Sequence, residues 1–257
     1  MKHPMKRSSV VLAVWFALPI GGQVMTFTTD PILKFEVASI RPSDSGQGAI
    51  SGINTRNGRV DARNVTVTRC IMGAYEVGPH EIVGGPNWIA TDRYEIRAKA
   101  PQPINNDHVL MLMLRGLLAD RFRLVLHHEK RLMRAFVLSM GKAPSKLERG
   151  DGGESRTNTS TNATAVMLDA RNTSMDEFAR ILARKMDRPV VNETSLEGVF
   201  NLKLRWTPER TGAADAAASD EPSIFTAIIE QLGLSLHAEK TTVDMLVVDQ
   251  LERPSDN

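Results

Sequence analysis

Cysteine is nearly absent, with Cys70 alone in the chain. An intramolecular disulfide is excluded, and so is a zinc site built on thiolates. Aromatic residues are scarce, at 5%, too few to interleave with basic residues as a base-stacking surface. Charge of one sign is missing as well. The 32 Lys and Arg stand against 30 Asp and Glu, for a net charge of +2, which gives no overall pull towards nucleic acid or an anionic membrane. No run of 18 apolar residues occurs, so no membrane-spanning helix is expected after removal of the leader described below. His-Glu-x-x-His, Gly-x-Ser-x-Gly and the Gly-x-x-x-x-Gly-Lys-Ser/Thr phosphate loop are all lacking, and with them the chemistries those spacings serve. What is present is ordinary. Hydrophobic residues at 42% and charged residues at 24% of 257 describe a globular chain of one large or two small domains.

The first residues form an address. Lys2, Lys6 and Arg7 precede an apolar run over 10–20, and Gly21 and Gly22 follow. A basic start, a short apolar core and small residues describe a secretory signal, here residues 1–23. Eleven apolar residues are too few for a spanning helix, which needs about 20. A periplasmic or secreted location follows as the expectation. Cys70 sits among Val67, Ile71 and Ala74 in a short helical pattern and reads as a small buried hydrophobe.

The chain repeats itself. Asp-Ala-Arg-Asn stands at 61–64 and again at 169–172, an offset of 108. LVLHHEK at 124–130 returns as LSLHAEK at 234–240, an offset of 110. Two matches in the same order argue for a tandem duplication, with a period too long for a solenoid. Thr66 and Ser174, just after the repeated tetrapeptide, are N-cap types that open a helix. Glu177 stands at the capping-box position. Phe200, Leu202, Leu204 and Trp206 alternate along a strand. The expected fold is α+β, in two lobes that each run strand, helix, strand, strand, helix, strand, strand, with helices on a mainly antiparallel sheet. Each lobe is expected to end in a hairpin, pairing 122–129 with 134–140 and 234–239 with 243–250. The first lobe covers 32–147 and the second 165–254. A flexible linker at 148–164 separates them, and a mobile Ala-rich acidic insertion at 207–222 interrupts the second.

FEVASIRPS (35–43), GGPNWIATDRYEIRAKAP (84–101), the run 113–147, MDEFARILARKMDRPVVNETSLEGVFNLKLRWTPE (175–209) and the run 223–254 carry a family resemblance. The chain resembles the "soil-associated" proteins, a domain of unknown function expanded in acidobacteria-like soil bacteria, over about residues 34–254. Some members resemble an extracytoplasmic tail fused to antirepressor metallopeptidases of the beta-lactam-sensor type. The helix-plus-strands units are also similar to the short N-terminal domains of secretins and TonB-dependent receptors. That likeness implies docking to envelope proteins. The resemblance supplies no catalytic residue.

Three sets of residues are candidates for chemistry. On a strand His127 and Glu129 share one face, as do His237 and Glu239 in the repeat. An imidazole and a carboxylate side by side can ligate zinc or exchange protons. A solvated outer sheet face is the favoured explanation, since no third ligand is identifiable. Residues 115–149 hold nine Lys and Arg against three acids, but Phe122 and Phe136 alone could stack on bases, so nucleic acid is not expected. Trp88, after Gly84-Gly85-Pro86, and Trp206 are candidates for lining a ligand groove, with core packing as the plain alternative. The leading expectation is an exported, non-catalytic binding module without a cofactor, contacting an unidentified envelope protein or small ligand. The edges expected to receive an extended partner are 35–40 and 243–250. The alternatives are an extracytoplasmic metal-assisted hydrolase and a detached sensor domain of an antirepressor-peptidase system.

Overall fold

The computed structural model describes residues 33–45, 49–208 and 221–254. The signal segment and most of the insertion lie outside the described residues. The fold is α+β, with twelve strands in three sheets and four α-helices among the described residues.

The two halves of the chain present their elements in one order. The N-terminal half opens with β1 (Val37–Pro42), then a hairpin of β2 (Gly52–Arg56) and β3 (Arg59–Thr66). It continues through α1 (Val67–Tyr75), β4 (Ile82–Gly84), β5 (Arg93–Lys99), α2 (Asp107–Arg121) and β6 (Val125–Met140). The C-terminal half has β7 (Glu148–Arg149), β8 (Arg156–Thr161), β9 (Val166–Thr173), α3 (Met175–Ala183), β10 (Val190–Asn192), β11 (Phe200–Trp206), α4 (Ile224–Ala227) and β12 (Leu234–Gln250).

The repeated tetrapeptide has a local physical reason. Asn64 and Asn172 both take left-handed backbone, each at φ 50°, a conformation asparagine tolerates better than most residues. Each sits at a bulge in its strand's pairing, just before a helix. Thr66 then accepts a hydrogen bond from the Arg69 N–H, and Ser174 from the Glu177 N–H, both at 3.2 Å. These side chains satisfy one of the amides that a helix start leaves without a partner.

The N-terminal sheet has the order β1-β5-β3-β2 and the C-terminal sheet β7-β11-β9-β8, both antiparallel throughout. Each packs one face on its own helices. Ile71, Ile96, Leu114 and Phe122 sit in the first core, and Phe178, Leu182, Leu202 and Trp206 in the second.

The expected terminal hairpins do not form. β6 is a single strand of 16 residues and β12 one of 17, and they pair antiparallel with each other along nearly their whole length. The reason lies in composition. Residues 130–133, Lys-Arg-Leu-Met, and 240–242, Lys-Thr-Thr, contain no Gly, Pro, Asn or Asp to turn the chain back. Leu132 lies opposite Thr242, so positions 110 apart meet at the centre of the ribbon. β10 runs parallel beside β6 and β4 parallel beside β12, giving the central order β10-β6-β12-β4. Residues 243–250, expected at an edge, are interior. β1 does stand at an edge.

Each core takes residues from the other half. Phe136 and Leu138 of β6 belong to the C-terminal core, and Leu246 and Val248 of β12 to the N-terminal one. Above the ribbon the halves also touch directly. The Arg180 guanidinium lies 3.5 Å from the Glu76 carboxylate, and His80 Nε2 lies 2.9 Å from the Met186 carbonyl oxygen. The stretch 148–164, expected as a structureless linker, contains β7 and β8. Every residue of β8 is exposed, so it joins its sheet through the backbone alone.

Candidate functional site

The four His and Glu candidates do not converge. His127 lies opposite Val247 and His237 opposite Val137, ten positions apart along the ribbon and so about 33 Å at 3.3 Å per residue. Their partners differ as well. His127 Nδ1 is 2.8 Å from the Asp249 carboxylate, while Glu129 accepts from Arg131 at 2.6 Å. His237 Nε2 lies 3.2 Å from Glu239, and His128, next to His127, contacts Asp244 at 3.1 Å. The Arg131 hydrogen bond holds the Glu129 carboxyl below its usual range. The four side chains are about half exposed. Among the described residues no group of three or more His, Cys, Asp or Glu side chains can hold a metal. The ribbon therefore carries solvated polar pairs, and Asp249 and Asp244 are partners that a sequence-local reading did not identify.

The tryptophans belong to different cores. Trp88 lies in the 3₁₀ turn Asn87–Ala90 and packs, partly buried, on the N-terminal core. The Arg253 guanidinium covers its ring at 4.9 Å and is held there by Asp92 at 2.9 Å. Trp206 is buried in the C-terminal core. The two share no groove. Cys70 is fully buried, and burial pushes its thiol up to about 12, which leaves it inert as a thiolate.

A groove does exist elsewhere, on the outer face of the C-terminal sheet. Alternation puts Leu202 and Leu204 of β11 inward and Asn201, Lys203 and Arg205 outward. The same rule turns Met167, Asp169 and Arg171 of β9 outward. Met167, Asp169, Lys203 and Arg205, with Asn158 and Ser160 of β8 and Gln231, line an open groove of about 400 Å³. A second groove of about 320 Å³ adjoins it towards Lys146 and Glu148. Asp169, Lys203 and Gln231 border both. The lining mixes both signs of charge with amides and hydroxyls. Such a surface suits polar recognition. The alternating Leu and Lys/Arg of β11 was the available signal for it. The contribution of Gln231 had none, because it depends on the π-helical turn Ile228–Leu232.

Comparison with curated proteins finds no match, and comparison with solved structures finds none either. Residues 68–251 match a protein family described as "Protein of unknown function (DUF3738)". That stretch runs from α1 to the end of β12 and includes the central ribbon and the grooved sheet, and over it the chain belongs to this uncharacterised family.

Proposed function

We propose that this protein is an exported, non-catalytic binding module of the cell envelope, and that it binds through the outer face of the C-terminal sheet. The observation that carries the reading is the pair of adjoining polar grooves centred on Lys203, Asp169 and Gln231. The basic start and apolar run over residues 1–20 support export. The dispersal of the His and Glu pairs along the ribbon supports contact over catalysis. The matching element order of the two halves, and the facing of Leu132 and Thr242 at an offset of 110, support descent from one duplicated unit. The relationship to the soil-associated proteins belongs to the same proposal.

Immobilised residues 24–257 in envelope extract test it. A specific species is expected to be retained by the wild-type chain and by the His127→Ala/His237→Ala variant, and lost from Lys203→Glu/Arg205→Glu. Stoichiometric zinc, together with a hydrolytic activity abolished in the double histidine variant, would overturn the reading. Export is tested separately, by N-terminal sequencing of extracytoplasmic material, with a start between residues 22 and 26 expected. Intact Met1 in a cytoplasmic fraction is the contrary result.

A further inference from the structure

The central ribbon sets the chain against itself. β6 and β12 pair so that positions 110 apart meet at Leu132 and Thr242. Each cross-strand pair on one side of that centre has a counterpart on the other. Lys130 lies opposite Asp244, an attractive pair, and its counterpart is Arg134 opposite Lys240. Directly opposite side chains stand about 5 Å apart at Cβ, where like charges destabilise a sheet. Both cations are exposed, and among the described residues neither forms an ion pair or a side-chain hydrogen bond. The position of Asp244 in the C-terminal half is that of Arg134 in the N-terminal half. The ribbon thus holds a repulsion at one end that it avoids at the other.

A third cation borders the pair. Val190 lies beside Phe136 in the parallel register of β10 with β6, so Arg188, two residues earlier, is level with Arg134. Its guanidinium covers the Phe136 ring at 4.9 Å, on the face that Phe136 shares with Arg134. Asp187 accepts from Arg188 at 3.0 and 2.8 Å and balances it. Arg134 and Lys240 remain as two adjacent charges without a counter-ion from the protein.

The rest of that face gives the site its shape. Alternation places Lys130, Leu132 and Arg134 of β6 with Lys240, Thr242 and Asp244 of β12. All are exposed, Leu132 at 63%. On the same face Phe136 and Leu138 enter the C-terminal core at one end, and Leu246 and Val248 the N-terminal core at the other. The bare stretch from His128 to Arg134 is about 20 Å long and is closed in at both ends. His127, Glu129, His237 and Glu239 lie on the opposite face.

We propose that Arg134 and Lys240 bind the phosphate group of a soluble phosphomonoester, at a site apart from the grooves of the C-terminal sheet. Two adjacent cations call for a dianion. A phosphomonoester carries a charge of about −1.5 to −2 at pH 7, whereas a carboxylate or a phosphodiester carries a single charge and leaves one cation unbalanced. The planar fork of Arg134 suits two phosphate oxygens, and the Lys240 ammonium a third. Leu132 and Thr242, two residues along each strand, offer an apolar surface and a hydroxyl to the esterified group. A face closed in at both ends suits a small molecule better than a flat bilayer. Each half supplies one of the two cations, so the site exists only once β6 and β12 have paired.

Calorimetric titration of phenyl phosphate into residues 24–257 is the test. Saturable binding at one site is expected. It should weaken at least about tenfold in Lys240→Glu and in Arg134→Asp, since each puts an acid in place of a cation. Arg134→Asp also reinstates the arrangement of Lys130 opposite Asp244. Its denaturant midpoint without ligand should therefore rise while its binding falls, and a cooperative transition shows that the variant folds. Diphenyl phosphate, with a single charge, should bind the wild-type chain at least about tenfold more weakly, an arm that needs no variant. No saturable binding of phenyl phosphate overturns the proposal. So does equal affinity for the monoester and the diester, or binding that both variants leave unchanged. Vesicles of phosphatidylglycerol that bind through Arg134 and Lys240 while phenyl phosphate does not would assign the face to a membrane surface, and also overturn it.

Discussion

The N-terminal and C-terminal sheets have corresponding strand orders and covering helices, yet they complete their outer edges by different means. β1 supplies six residues of backbone to β5. β11 receives two residues of β7 and one carboxamide. The difference separates two roles for the same architecture. A strand built into the sheet adds to the fold and closes the edge. The Gln231 side chain in its place satisfies the backbone of Arg205 locally. Sheets that share a core plan thus diverge where the core is not at stake, at the edge.

The largest effect should come from separating the halves. Residues 32–147 alone lack Leu246 and Val248, and β4 and β6 lose β12. That fragment should show collapsed amide dispersion and no cooperative unfolding, and mixing with 148–254 should restore both. A fragment that unfolds cooperatively by itself would make the halves independent domains. Next in size are core truncations. Leu202→Ala and Leu236→Ala should each cost about 2–5 kcal/mol in denaturant unfolding, since both side chains are buried in the C-terminal core. Ile96→Ala on β5 should match them if the two sheets carry comparable loads.

A smaller effect concerns pH. Burial raises the Glu81 carboxyl above its ordinary value of 4.5, against the Gly78 amide and Arg180, which favour its charge. The folded state then binds this proton more tightly than the unfolded state. Stability from this group is highest at low pH and falls as pH rises from about the ordinary value through the raised one. Glu81→Gln should remove that slope, read from unfolding midpoints between pH 4 and 7. The smallest effect is expected for His127→Ala, within about 0.5 kcal/mol, because its carboxylate partner Asp249 is also exposed. Loss comparable to Leu202→Ala would show that the outer ribbon face bears load.

The sequence spoke most clearly where the physics is local. Asn64 with Thr66, and Asn172 with Ser174, placed two helix starts because left-handed tolerance and capping act within three residues. The alternation from Phe200 to Trp206 placed the inner and outer faces of β11 for the same reason. The ribbon was legible in its faces and not in its pairing. Nothing near Arg131 or Thr241 says that the partner strand lies 110 residues away. The candidate site divides in the same way. Lys203 and Arg205 could be placed outward from alternation alone. Gln231 could not be placed on the edge of β11, since its position depends on a π turn whose spacing no local pattern of residues 224–232 announces.

The meeting of Leu132 with Thr242 sets a timetable for the chain. During synthesis β6 emerges long before its partner. At about 5–20 residues per second, the 110 residues between them take roughly 5–20 s. Throughout that interval Phe136 and Leu138 have no finished core to enter, and a long strand has both edges free. Contacts of such sequence separation also form slowly, because the loop must close before the pairing stabilises it. The central sheet of the nascent chain therefore stays open until its last strand is made. An open chain is also the form in which a polypeptide can be threaded through a translocation channel.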